Sequence, residues 1–83
     1  MTSFGQASLK DILAMLTACA PGFTLERKTH HFWIRYQGNI YRGLPTGEHG
    51  ERNPKIQAGV IRHMIRQLGI DFECAKEHLP ILT

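Results

Sequence analysis

The 83-residue sequence predicts an α+β fold of order α-β-β-β-α: a three-stranded antiparallel sheet packed on two helices, with a short extra helix near the C-terminal end. Three observations carry that expectation. Apolar residues recur at three- and four-residue spacing from Leu9 to Ala20 and again from Ile56 to Leu68, as on two amphipathic helices. Between them, from Phe23 to Leu44, the period falls towards two, as half-buried strands require. Pro21-Gly22, Gly38-Asn39 and Gly69 punctuate the changes of period.

Ser8-Leu9-Lys10-Asp11 reads as a variant capping box, in which the Ser8 hydroxyl takes the amide three residues on and Asp11 favours the positive helix end. Leu9, Ile12, Leu13, Leu16 and Ala20 form the buried stripe, and Pro21-Gly22 ends the helix. Phe23 and Leu25 alternate with Thr24 and Glu26 in a first strand. A second strand runs from His31 to Gln37, Gly38-Asn39 makes a two-residue turn suited to positive φ, and Ile40 to Leu44 is the third. Pro45 to Asn53 reads as a mobile polar loop. Asn53 is then expected to cap the second helix, with Pro54 in its first position and Ile56, Val60, Ile61, Met64, Ile65 and Leu68 as its stripe. Gly69 supplies the left-handed residue past its end. Asp71 caps a short third helix from Phe72 to Leu79, which Pro80 stops.

The length suits one domain, 1–83, whose ends (1–7 and 80–83) are expected to be flexible. A 42% hydrophobic and 20% charged composition excludes intrinsic disorder, and no apolar run is long enough for a membrane span. Without a basic-then-apolar leader at Met1 to Ala7, a cytoplasmic protein is expected. Cys19 and Cys74 belong to no CxxC or Cys/His grouping with zinc spacing, so they read first as buried reduced thiols and second as a disulfide, with no metal or cofactor expected. The net charge of +3 is unevenly spread: between Glu26 and Arg66 eight cations face three anions. That is the footprint of an anionic partner, nucleic acid being the commonest.

Within this basic stretch lies Arg27-Lys28-Thr29-His30-His31-Phe32-Trp33. Imidazole both donates and accepts protons near neutral pH, and such a group among cations suits a phosphodiester. Arg27, Lys28, Arg35, Arg42, Lys55, Arg62 and Arg66 are the candidate phosphate contacts, and Trp33 could stack on a base. Alternation puts His31 with Trp33 and Arg35 on the open sheet face, and turns His30 inward unless it precedes the regular strand. The plainer alternatives are a hydrogen-bonded turn residue for His30, packing for Trp33, and a solvated helix face for Arg62 and Arg66. His63 and His78 read as surface residues and His49 as a loop residue.

The element order, the Thr29-His30-His31 segment, the Leu44-Pro45 strand exit and Gln57 to Ile70 (QAGVIRHMIRQLGI) resemble the HicA-type mRNA interferases, also called the YcfA family, over roughly Leu9 to Leu79. These are small toxins of bacterial toxin–antitoxin pairs with a double-stranded-RNA-binding-domain-like fold. The resemblance implies metal-independent RNA cleavage with the ribose 2′-OH as nucleophile, His30 as general acid or base, Thr29 orienting it and His31 second in line. It also implies an inhibitory antitoxin of the HicB type as partner, beside RNA. The glycine of the family's Gly-Ser-His element falls on Lys28, a departure, and the loop from Pro45 to Asn53 is longer than usual. Two rivals stand beside this expectation: a non-catalytic nucleic-acid-binding module of the same fold, and a protein-interaction domain docking through the Trp33 face.

Overall fold

The computed structural model describes residues 5–46 and 53–82. The elements are β1 (Gln6–Ser8), α1 (Leu9–Cys19), β2 (Thr24–Arg27), β3 (His31–Tyr36), β4 (Asn39–Pro45), β5 (Lys55–Gln57), α2 (Ala58–Leu68) and α3 (Phe72–His78), then a 3-10 turn over Pro80–Leu82. The α+β architecture and the three-stranded antiparallel sheet, in order β2-β3-β4, are as the sequence predicts.

The start of α1 is capped from two directions. Ser8 Oγ accepts from the Asp11 amide at 3.2 Å, as expected. The amides of Leu9 and Lys10 are taken by the Pro54 carbonyl at 2.8 Å and by Asn53 Oδ1 at 2.7 Å. Three of the four amides that a helix start leaves unpaired are thereby satisfied. Asn53 was expected to cap the second helix and Pro54 to open it, and both expectations are corrected. Lys55–Gln57 instead pair with Gln6–Ser8 in a two-stranded antiparallel ribbon, and α2 begins only at Ala58. The reason is the burial of Ala7 and Ile56, which face each other across the ribbon. Ile56 fits a helical stripe by spacing, yet Lys55-Ile56-Gln57 alternates exposed, buried, exposed. Removing the Asn53 cap by Asn53→Ala is expected to cost about 1 kcal/mol. Urea unfolding measures this, and an unchanged midpoint would contradict the assignment of Asn53 to α1.

The β3–β4 hairpin turns on Gln37-Gly38, one residue earlier than expected, with φ of 49° and 82°. Asn39 therefore starts β4 opposite Tyr36, and its Nδ2 donates to the Leu68 carbonyl at 3.1 Å, tying the hairpin to the end of α2. Further along, the register shifts between Phe32–Leu44 and Ile34–Tyr41, so that Arg42 and Gly43 together oppose Trp33. This bulge matters because Tyr41 and Leu44 are three apart and would face opposite ways in a regular strand. With the extra residue both are buried, and Arg42 points outward.

Ile12, Met15 and Leu16 of α1 meet Ile34 and Leu44 of the sheet and Ile61, Met64 and Leu68 of α2 in one buried cluster. Met15 is a core residue that the stripe of α1 does not include. Helix α2 lies along β4, and α1 beside α3. Gly69, φ 74°, ends α2 as expected, with the Ile70 amide reaching back to the Ile65 carbonyl at 3.0 Å. The terminal segments, expected to be flexible, carry structure where they are described. β1 pairs with β5, and the 3-10 turn seats Leu82 at 3% exposure. Most of the expected mobile loop, 47–52 with His49, lies outside the described residues. No described helix is long and apolar enough to cross a membrane.

Candidate nucleic-acid interface

The helices cover one face of the β2-β3-β4 sheet and leave the other open. Cross-strand register assigns Thr24, Glu26, Trp33, Arg35 and Ile40 to the open face, where Glu26 opposes Trp33 and Arg35 lies between Thr24 and Ile40. Trp33 is half-buried at the centre. Lys28 Nζ stands 4.6 Å and Arg42 Cζ 5.1 Å from its ring centroid, so two cations hold the indole. Glu26, which sequence reasoning passed over, organises the rest. Its Oε1 lies 2.8 Å from Arg35 Nη1, and its Oε2 3.5 Å from Lys28 Nζ. Its alternation with Thr24 and Lys28 was the available signal. An open groove of about 440 Å³ continues from this cluster past Arg35 and Arg42 to the Gln37-Gly38 turn.

The histidines sit at the other end of the same hairpin. The Lys28 amide donates to the His31 carbonyl at 2.8 Å, closing a turn whose tip is Thr29-His30. β3 begins at His31, so His30 stands before the regular alternation and is exposed rather than turned inward. His31 is exposed too, two residues from Trp33 in β3 and so on the same face. Among the described residues neither imidazole has a hydrogen-bond partner. Lys28 is outside the left-handed region, so this turn does not need glycine's freedom.

The other expected phosphate contacts are dispersed. Arg27 points to the opposite face of β2, 5.9 Å from the Phe32 ring. Lys55 lies on the β1–β5 ribbon. Arg62 and Arg66 flank a groove with Ile65, Ile70 and the exposed Phe72 on the α2–α3 side. Of the seven basic candidates, only Lys28, Arg35 and Arg42 share the open sheet face. On the inner face burial pushes the Tyr41 hydroxyl above its usual range, so it stays neutral, and its ring meets His63 edge-on at 5.6 Å.

A second cluster corrects the reading of the cysteines. Cys19 and Cys74 are joined as a disulfide, with Cα atoms 5.8 Å apart, rather than held as reduced thiols. Each sits beside apolar residues as its helix predicts, but only the packing of α1 against α3 brings them together. His78, read as a surface residue, places Nδ1 3.7 Å from Cys19 Sγ and 3.1 Å from the Cys74 carbonyl oxygen. Its four-residue spacing from Cys74 was the visible signal.

Comparison of the chain with protein-family models, curated proteins and solved structures finds no match.

Proposed function

We propose that the open sheet face binds single-stranded RNA and that the Thr29-His30 turn beside it cleaves the bound strand in the manner of HicA-type interferases. The observation that carries this reading is the Trp33 ring held between Lys28 and Arg42 on the same hairpin as the two exposed histidines. An indole flanked by exposed cations suits a nucleotide: the ring takes a base, and the cations, displaced from it, take the adjoining phosphates. The groove past Arg35 offers room for a neighbouring nucleotide. In the proposed step His30 takes the proton of the ribose 2′-OH as that oxygen attacks phosphorus. The bond to the 5′-oxygen breaks, and a protonated group, His31 being the nearest candidate in sequence, returns a proton to it. Lys28 and Arg42 offset the charge that builds on phosphate.

The test is binding of unstructured RNA by Trp33→Ala in excess chelator. Loss of one stacking platform, about 1–3 kcal/mol, predicts an affinity lower by about 5- to 150-fold. For the wild type, three phosphate contacts predict a slope near −2 for log affinity against log salt. Unchanged affinity in Trp33→Ala would remove RNA from this face. A second reading, a binding module without catalysis, is favoured by one observation. Neither imidazole is oriented by a hydrogen bond among the described residues. That reading predicts salt-sensitive binding and no cleavage. A HicB-type antitoxin, implied by the resemblance, would have to cover the same basic face, and the competition with RNA that it predicts is measurable in the same binding assay.

A further inference from the structure

The side chains of Cys19, Cys74 and His78 converge where α1 packs on α3, their ligand atoms all within 4.8 Å of one another. None of them belongs to the sheet face. Two sulfurs and an imidazole nitrogen are the donor set favoured by borderline-soft divalent cations, zinc above all. One distance already fits that use, and cleavage of the disulfide frees the two sulfurs to separate. In a tetrahedral site with Zn–S of about 2.3 Å and Zn–N of about 2.0 Å, sulfur and nitrogen lie about 3.5 Å apart. Cys19 Sγ and His78 Nδ1 are already 3.7 Å apart. Cys74 and His78, four residues apart on α3, present their donors on one helix face. The cysteines are half-buried and His78 is exposed, so the cluster is open to solvent on the imidazole side.

We propose that Cys19, Cys74 and His78 form a redox-gated site for a thiophilic divalent cation such as zinc. In the oxidised protein the sulfur lone pairs are poor donors and the disulfide closes the site. A thiol reductant cleaves the bond by exchange: two reductant thiols become their disulfide, and Cys19 and Cys74 each gain a proton. The cation then displaces both thiol protons and forms two metal–sulfur bonds. His78 gives up its Nδ1–H contact with the Cys74 carbonyl, the proton passing through solvent to Nε2, so that Nδ1 offers a lone pair to the cation, and water fills the fourth position. A small-molecule disulfide reverses this by exchange: it takes two electrons from the thiolates and two protons from water and leaves as two thiols, the Cys19–Cys74 bond re-forms and the ion is released. The cation would replace, by coordination, the crosslink between α1 and α3 that reduction removes.

Cobalt(II) titration tests this, with protein reduced by a phosphine under anaerobic conditions. Reduced wild type is expected to take up one equivalent of cobalt, with thiolate-to-metal charge-transfer absorption that zinc abolishes. The oxidised protein should show no such absorption. His78→Ala should weaken metal affinity about tenfold or more while still forming the disulfide, its oxidised melting temperature confirming the fold. Zinc should raise the melting temperature of reduced wild type and leave that of the oxidised protein unchanged. Absence of the charge-transfer band in reduced protein, its presence in oxidised protein, or equal affinity in His78→Ala would each overturn the proposal.

Discussion

Replacement of His30 by alanine is expected to slow RNA cleavage by about 10²–10⁴-fold, the range of a single positioned acid or base. The effect should fall on the chemical step alone. His30 is exposed at a turn tip and its side chain makes no hydrogen bond, ion pair or ring contact among the described residues, so its loss should leave stability within about 0.5 kcal/mol. RNA affinity should be equally undisturbed, because the proposal assigns the base and phosphate contacts to Trp33, Lys28 and Arg42. Single-turnover cleavage in chelator, beside a binding isotherm for the same variant, separates the two. His31→Ala is the necessary companion, since His31 shares the face with Trp33. A larger loss in His31→Ala than in His30→Ala would transfer the acid–base role to His31. Cleavage surviving both would remove the histidines from the mechanism.

Reduction of the Cys19–Cys74 disulfide is expected to produce the largest change in stability. The bond closes a loop of 55 residues in sequence. By the loop-entropy account such a crosslink stabilises by about 4 kcal/mol, mostly through the unfolded chain. In a domain of this size each kcal/mol moves the melting temperature by roughly 4–8 °C. Reduction in metal-free buffer should therefore lower the melting temperature by tens of degrees, about 15–30 °C at these magnitudes. Thermal melts with and without a phosphine reductant measure it. Equal melting temperatures would mean that the two cysteines are not joined in solution.

The legible parts of this chain were those written in local periodicity. Leu9, Ile12 and Leu16 announce α1, Ile61, Met64 and Leu68 announce α2, and both stripes enter the core. The alternation of Phe32 and Ile34 against Trp33 and Arg35 correctly gave the two faces of β3. What local pattern could not supply were facts of tertiary pairing. Asn53 and Pro54 look like a helix start, and they do serve one, but it is the start of α1, forty-three residues earlier in sequence. Ile56 fits a helix stripe and is held in a strand because Ala7 lies across from it. Cys19 and Cys74 carry no motif, and only the α1–α3 contact reveals them as a pair.

The basic surface was legible in content and not in layout. Counting cations between Glu26 and Arg66 found the charge, but strand parity sends the exposed Arg27 to the opposite face beside Phe32, and α2 carries Arg62 and Arg66 to a separate groove. Lys28, Arg35 and Arg42 remain, partly offset by Glu26. The bulge that brings Arg42 beside Trp33 depends on a register shift that no single strand's sequence displays.

Trp33 is the chain's one tryptophan, so its emission reports the open sheet face and nothing else. Titration of the protein with unstructured RNA, following that emission, therefore tests the central claim most directly. Base stacking on the indole predicts saturable quenching that weakens steeply with salt and is lost when Lys28 and Arg42 are both replaced by alanine. RNA binding seen by another probe with Trp33 emission unchanged, or no binding at low salt, would contradict it.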